Sequence, residues 1–292
     1  MELTYHVVDV FTTTPLEGNA LAVFTDASGL DASTMQRIAR EMNLSETTFV
    51  LPRESKNGAM RVRIFTPGRE MDFAGHPTVG TAYVMRRLGL VPRDAATFAL
   101  EENVGRVPIR VDSGDDPLIW LTTPPIRVLE TLSRAACAAA IGLREDDLVP
   151  NLPCEIVSAG APFVFVPIKD AATVDRAALD GARFADLVRG RTDKLALFFF
   201  APVQAGAYSR MFAPEHGLIE DPATGGATGP LAAYMMKHRL ARSADGTRFL
   251  SEQGKKMGRR SLLHVLIHGE NGRDGIEVGG NTTYVAEARL FL

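Results

Sequence analysis

The feature that most constrains this chain is a repeated stretch. Arg63–Tyr83 reads RIFTPGREMDFAGHPTVGTAY, and Arg210–Tyr234 reads RMFAPEHGLIEDPATGGATGPLAAY. Both open Arg-x-Phe-(Thr/Ala)-Pro, pass through a Gly/Thr-rich turn, and continue into an alanine-containing helical segment that ends at a tyrosine. Their separation of roughly half a chain is how a duplicated domain is written in sequence. A Gly-rich turn that opens a helix aims free backbone N–H groups and the positive end of the helix dipole at whatever lies in front. Two such turns predict a site between two half-domains, suited to an anion such as a carboxylate.

Composition narrows the function. At 292 residues the chain accommodates one large domain or two of roughly 130–150 residues. A formal charge of −3 with no local Lys/Arg block argues against nucleic acid as a partner. No apolar run reaches the ~18 residues of a membrane span; the longest, 195–203, is strand-sized. The opening MELTYHVVDVF alternates like a strand and does not read as a signal peptide, so the expectation is a soluble cytoplasmic protein. The two cysteines, Cys137 and Cys154, have neither metal nor disulfide-framework spacing. Nucleotide-binding and nucleophile-elbow glycine patterns are absent, and no His/Cys/Asp cluster has metal spacing. Acid/base chemistry without a cofactor or metal survives these exclusions.

Periodicity predicts mostly short strands, with a helix over 35–42 capped from Asp31–Thr34, and a well-marked helix after each signature turn. Single helices are further expected over 132–141 and 174–188, with 122–126 (TTPPI) as the linker because consecutive prolines continue neither element. Strands outnumber helices without regular alternation, which predicts an α+β fold. The expected division is 1–123 with 282–292 as a returning strand, and 124–281.

Three side chains stand out as candidates for chemistry. Glu46, in Asn43-Leu-Ser-Glu46, sits at a helix-to-strand junction beside apolar Leu44, Phe49 and Val50. It reads either as a solvated loop carboxylate or as a general base tuned by a partly apolar cleft. His76, between Gly75 and Pro77 at a helix start, is placed to donate a hydrogen bond or relay a proton, although lone histidines are usually structural. Asp221 precedes the second helix and mirrors the first signature; an Asp there is also often only a cap. Arg63 and Arg210 read better as ion-pairing residues than as ligands for substrate. His216, His238, His264 and His268 carry no context above surface or core.

Taken together, Asp9-Val-Phe11, Gly18-Asn19, Asn43-Leu-Ser-Glu46, Phe73-Ala-Gly-His-Pro-Thr78, Arg210-Met-Phe-Ala-Pro214, Glu220-Asp-Pro-Ala-Thr-Gly225, Gln253-Gly254 and Val278-Gly-Gly280 resemble the PhzF-type phenazine-biosynthesis family in content and order. The resemblance spans nearly the whole chain. It implies a diaminopimelate-epimerase-like fold of two pseudo-symmetric halves, each a sheet or barrel wrapped around a central helix. It also implies a homodimer, no cofactor, and isomerisation of a small, possibly cyclic, carboxylic acid such as a dihydro-hydroxyanthranilate. Glu46 would then move the proton with help from His76 and Asp221. Gly75, Pro77 and Thr78, with Gly225, Gly226, Ala227 and Thr228, would hold the substrate carboxylate.

Two departures from the family pattern bear on activity. Gly226 stands where the phenazine enzymes carry Ser, which alters hydrogen bonding to substrate. Ala74 and Thr224 stand where related racemases carry their catalytic cysteines. The alternatives to the isomerase are therefore a family member that binds a small anion or a protein without turnover and, more weakly, an amino-acid racemase or epimerase.

Overall fold

The computed structural model describes residues 1–52, 58–114 and 116–292. Strands β1 (Glu2–Val10) and β2 (Asn19–Phe24) form an antiparallel pair. Helix α1 (Ala32–Met42) is fixed at its start by the Asp31 carboxylate, which accepts from the Thr34 N–H, and ends at Asn43 in the left-handed conformation. Strand β3 (Glu46–Leu51) then lies parallel to β2. β4 (Met60–Phe65), the two-residue β5 (Glu70–Met71), α2 (Gly75–Arg87), β6 (Thr97–Glu102), β7 (Gly105–Val111) and β8 (Ile119–Thr122) complete the first half.

The second half holds β9 (Arg127–Leu132), α3 (Arg134–Ala140), β10 (Cys154–Ser158), β11 (Pro162–Pro167), α4 (Ala171–Arg176), α5 (Gly181–Leu187), β12 (Ala196–Val203) and β13 (Gly206–Ala213). β14 (Leu218–Asp221), α6 (Gly225–Lys237), β15 (Arg248–Gln253), β16 (Ser261–His268) and β17 (Gly275–Gly280) follow, and the last strand is β18 (Thr282–Phe291).

The two halves pair their strands in the same way. One runs β18-β1-β2-β3-β4-β6-β7-β8, the other β9-β10-β11-β12-β13-β15-β16-β17. The parallel pairs fall at matching places, β2/β3 and β4/β6 against β11/β12 and β13/β15. Every other step is antiparallel, and β8 pairs with β17 to join the two sheets. This is the α+β architecture of two pseudo-symmetric halves, each wrapped around one helix. No helix of the described residues is long and apolar enough to cross a membrane.

Each central helix is buried on almost every side, so neither shows the one-sided apolar stripe of a surface helix. Crowding selects small residues instead. A Cβ on Gly80 of α2 would lie 2.7 Å from the side chains of Leu21 and Val10, and one on Gly229 of α6 would lie 2.4 Å from Thr123. Around α6, Phe165 and Phe200 pack against Tyr234, whose hydroxyl donates to the Pro153 carbonyl at 2.6 Å. Burying each such apolar side chain contributes about 1.5–3 kcal/mol, and the carbonyl satisfies the one polar atom that the ring brings inside.

Two expected elements differ. The linker is confined to 123–126, and the exposed strand β9 stands between it and a helix that begins only at Arg134, capped by Ser133. The expected helix over 174–188 is two helices. Arg210 Nη1 donates to the carbonyls of Val174 and Ala177 at 3.0 and 2.8 Å, ending α4, and Asp180 starts α5 by accepting from the Arg183 N–H. Arg210 is clamped at the same time by Glu220, and Arg63 by Glu70, so both signature arginines serve the fold.

Candidate active site

The N-termini of α2 and α6 meet almost head to head. A Cβ on Gly75 would lie 2.4 Å from the Gly225 backbone carbon, and one on Gly225 would lie 3.0 Å from Gly75. Only glycine permits this approach. Within each helix the first bonds are made by the Thr78 N–H to the Ala74 carbonyl and by the Ala227 N–H to the Thr224 carbonyl. The N–H groups of Gly75, His76, Gly225 and Gly226 precede those bonds and have no intrahelical acceptor. Four donors and two dipole ends therefore converge on one spot.

A cavity opens there between the halves. Ala74, Gly75, His76, Thr224, Gly225 and Gly226 line it together with Glu46 and Asp221. The structure thus brings Glu46, His76 and Asp221 to one place from β3, α2 and β14. It leaves Pro77, Thr78, Ala227 and Thr228 out of the cavity wall. The reason is that the Thr78 and Thr228 hydroxyls turn back to the carbonyls of Ala74 and Thr224, and Ala227 packs into the core around Tyr234.

Asn19, at the start of β2 and 1% exposed, organises the three side chains. Its amide nitrogen lies 2.8 Å from Asp221 Oδ1, 3.0 Å from the Ala223 carbonyl and 3.1 Å from His76 Nδ1. Facing that donor, Nδ1 of the neutral imidazole acts as acceptor, so the ring proton sits on Nε2. Nε2 in turn faces Glu46 Oε2 at 3.4 Å. Burial pushes His76 down to about 3, so the ring is neutral throughout the physiological range.

The carboxyls are shifted the other way. Burial first, then the Asp221 charge, pushes Glu46 well above the usual carboxylate range. Burial also raises Asp221 to about 6, against hydrogen bonds from Thr224, Asn19 and Ser45 that hold it down. Thr224 Oγ1 donates to Asp221 Oδ2 at 2.7 Å, and Gln253 clamps this turn by donating to Thr224 Oγ1 and the Asp221 carbonyl while accepting from the Thr224 N–H.

Asn19 is itself held from below. Gly18 carries φ +66°, and a Cβ there would meet the Val10 carbonyl at 2.4 Å. Arg259 donates to the Gly18 carbonyl at 2.8 Å and to Asp9 Oδ1 at 2.6 Å, tying β1 to the second half. Phe11, left-handed at φ 66°, pushes its ring tip toward Gly225 and its edge toward Gly280. An aromatic residue in that conformation is strained, and it persists because the two halves pack around it.

Sequence reasoning gave no role to Asn19, Ser45, Gln253 or His216. The first three sit inside the quoted motifs, next to the residues whose roles the motifs did suggest or at the end of a strand. His216 lines the cavity rather than the bare surface or core. The cavity wall contains neither cysteine; Cys137 and Cys154 are buried in the core of the second half.

Comparison with known proteins identifies the family of the whole chain. The family model PhzC-PhzF, described as phenazine biosynthesis-like protein, matches residues 8–288. A trans-2,3-dihydro-3-hydroxyanthranilate isomerase from Pseudomonas aeruginosa is 38% identical over 291 residues, covering 99% of each chain. The enzyme of the same name from Pseudomonas chlororaphis is 35% identical over 291 residues, again 99% of each. Among solved structures, a PhzF-family phenazine biosynthesis protein from Bacillus anthracis superposes with a TM-score of 0.88 at 28% identity, covering all of both chains.

Proposed function

This chain belongs to the PhzF-type phenazine biosynthesis-like family and is an isomerase; from that premise we propose that Glu46 moves a proton on a small, possibly cyclic, carboxylic acid without a cofactor. The observation that carries this reading is the Glu46–His76 pair, 3.4 Å apart at a wall where two helix N-termini meet.

In the proposed mechanism the substrate carboxylate accepts from the N–H groups of Gly75, His76, Gly225 and Gly226. These donors draw electron density toward the carboxylate and acidify the carbon next to the conjugated system. Ionised Glu46 takes the proton from that carbon, the double bonds shift, and the protonated Glu46 returns the proton to another carbon of the same molecule. The raised affinity of Glu46 for protons makes its carboxylate a stronger base for the first step. The His76 Nε2–H supports the carboxylate form of Glu46 at close range, and Asp221, through Asn19, keeps the histidine in the tautomer that donates. The acid processed by the Pseudomonas enzymes, trans-2,3-dihydro-3-hydroxyanthranilate, is the first substrate to try.

We also assign the halves as 1–123 with 282–292, and 124–281. Edge strand β9, with Val128 and Leu129 about half exposed, supports a homodimer.

The test is exchange in deuterium oxide. Wild type and Glu46→Gln are each incubated with trans-2,3-dihydro-3-hydroxyanthranilate and a panel of cyclic and amino carboxylic acids, then read by mass and by product structure. Deuterium uptake or an isomer with wild type alone supports the proposal, and equal turnover by the variant sinks it. A second reading, binding without turnover, draws on Gly226, which brings no hydroxyl to the cavity. It predicts bound ligand that never acquires solvent deuterium.

A further inference from the structure

Apart from Glu46, His76, Asp221 and Thr224, two polar side chains among the described residues line the cavity: Thr66 and His216. Thr66 is committed to its own turn. Its hydroxyl donates to the Arg69 carbonyl at 3.1 Å and accepts from the N–H groups of Gly68 and Arg69 at 3.2 and 3.0 Å. Thr224 is equally committed, to Asp221 and Gln253.

His216 is not. It ends the short turn Pro214–His216, is 9% exposed, and lies against the Thr66 turn, where a Cβ on Gly68 would be 3.7 Å from the His216 carbonyl. Burial, then the charges of Arg69 and Lys194, lowers it to about 4, so the ring is neutral at physiological pH. A polar contact with the Lys194 backbone opposes that shift only in part. A neutral imidazole has one N–H, so the other nitrogen is left as an acceptor. Met71, Phe73, Phe163, Met211 and Leu218 make the wall around it apolar. A group that donates a hydrogen bond finds its complement there.

We propose that His216 is a specificity-determining residue, whose acceptor nitrogen receives a hydrogen bond from a hydroxyl or amino group carried by the substrate away from its carboxylate. This rests on the reading that the helix N-termini hold a carboxylate. It narrows the substrate class to acids with an apolar middle and a second, hydrogen-bond-donating substituent.

The probes are benzoate, 3-hydroxybenzoate and 3-aminobenzoate, titrated calorimetrically into wild type and His216→Phe. Wild type is expected to bind the hydroxy or amino acid roughly five- to tenfold more tightly than benzoate, the worth of one neutral hydrogen bond. His216→Phe is expected to lose that preference while keeping its affinity for benzoate. A preference that survives the substitution overturns the proposal, as do wild type without preference and wild type that binds none of the three acids. If His216→Phe does not fold, wild type with 15N-labelled histidine decides. The acceptor-nitrogen resonance of His216 should shift with 3-hydroxybenzoate and stay in place with benzoate; no difference overturns the assignment. None of these readouts depends on turnover, so an inactive protein and a misassigned His216 give different results.

Discussion

Glu46 Oε2 and His76 Nε2 face each other across 3.4 Å, and neither has a hydrogen-bond partner among the described residues. Buried polar atoms are nearly always paired, because leaving one unpaired costs about 1–3 kcal/mol. Two such atoms side by side mark a place where structure gives way to function.

Glu46→Gln should fold as wild type does and lose turnover by about 10²–10⁴-fold, the usual contribution of a positioned acid/base group. The amide keeps the volume and removes the proton carrier. The deuterium-exchange rate, with a thermal melt as the control for folding, checks both halves of this expectation.

Asn19→Leu removes the donor shared by Asp221 and the Ala223 carbonyl and frees the His76 ring. Stability should fall by about 1–3 kcal/mol for the acceptors left unpaired. Because Asn19 acts through His76, kcat should fall more than KM rises, and the single Nε2–H tautomer should be lost from the 15N spectrum of His76. Urea unfolding, steady-state kinetics and that spectrum test the three parts. An unchanged tautomer would show that Asn19 serves packing only.

The helix contact makes a paired prediction at two glycines. Gly75→Ala drives a methyl into the Gly225 backbone at 2.4 Å and should destabilise by about 1–3 kcal/mol or more, displacing both helix ends. Gly226→Ser should be tolerated, since its nearest neighbours, Gly75 N and the Phe73 ring, lie 3.7 and 3.9 Å from the new Cβ. Thermal melts of the two variants give the comparison, and equal losses would contradict the close approach.

A buried carboxyl outside the cavity sets a pH dependence. Glu102 accepts from the Thr78 hydroxyl at 2.6 Å beneath α2, and burial raises it to about 8. A carboxyl with a raised native pKa binds its proton more tightly when folded. The stability it adds is complete below its unfolded value of about 4.5 and is lost as pH rises through about 8. Glu46, shifted in the same direction, adds to that loss, whereas the lowered histidines His76 and His216 oppose it only below 6.5. Between pH 6.5 and 8.5 wild type should therefore lose melting temperature, and Glu102→Gln should lose less. Parallel curves for the two proteins would exclude Glu102 as the source.

The repeated signature made the two-half fold and the meeting of two helix N-termini legible, because a duplicated turn needs only composition and spacing to be seen. Glu46, His76 and Asp221 were legible as types in context. Asn19 and Gln253 were not given roles, since a supporting amide is recognised only by what it touches, 202 residues away for Asn19 and 29 to 32 for Gln253. The break between α4 and α5 was illegible for the same reason: it is made by Arg210, a cation far away in sequence that takes the carbonyls a longer helix would have used. Strand β9 escaped because all but one of its residues are exposed, which removes the alternation by which a half-buried strand is recognised.

The abutting glycines at Gly75 and Gly225 have a thermodynamic consequence. Each half owns only part of the binding surface, so a ligand held by both helix N-termini has no affinity for either half alone. Its binding free energy is then linkage free energy between the two cores: a ligand at a hundred times its dissociation constant adds about 2.7 kcal/mol against separation as well as unfolding. In the presence of such a ligand the two halves should melt as one transition even where, without it, they open separately.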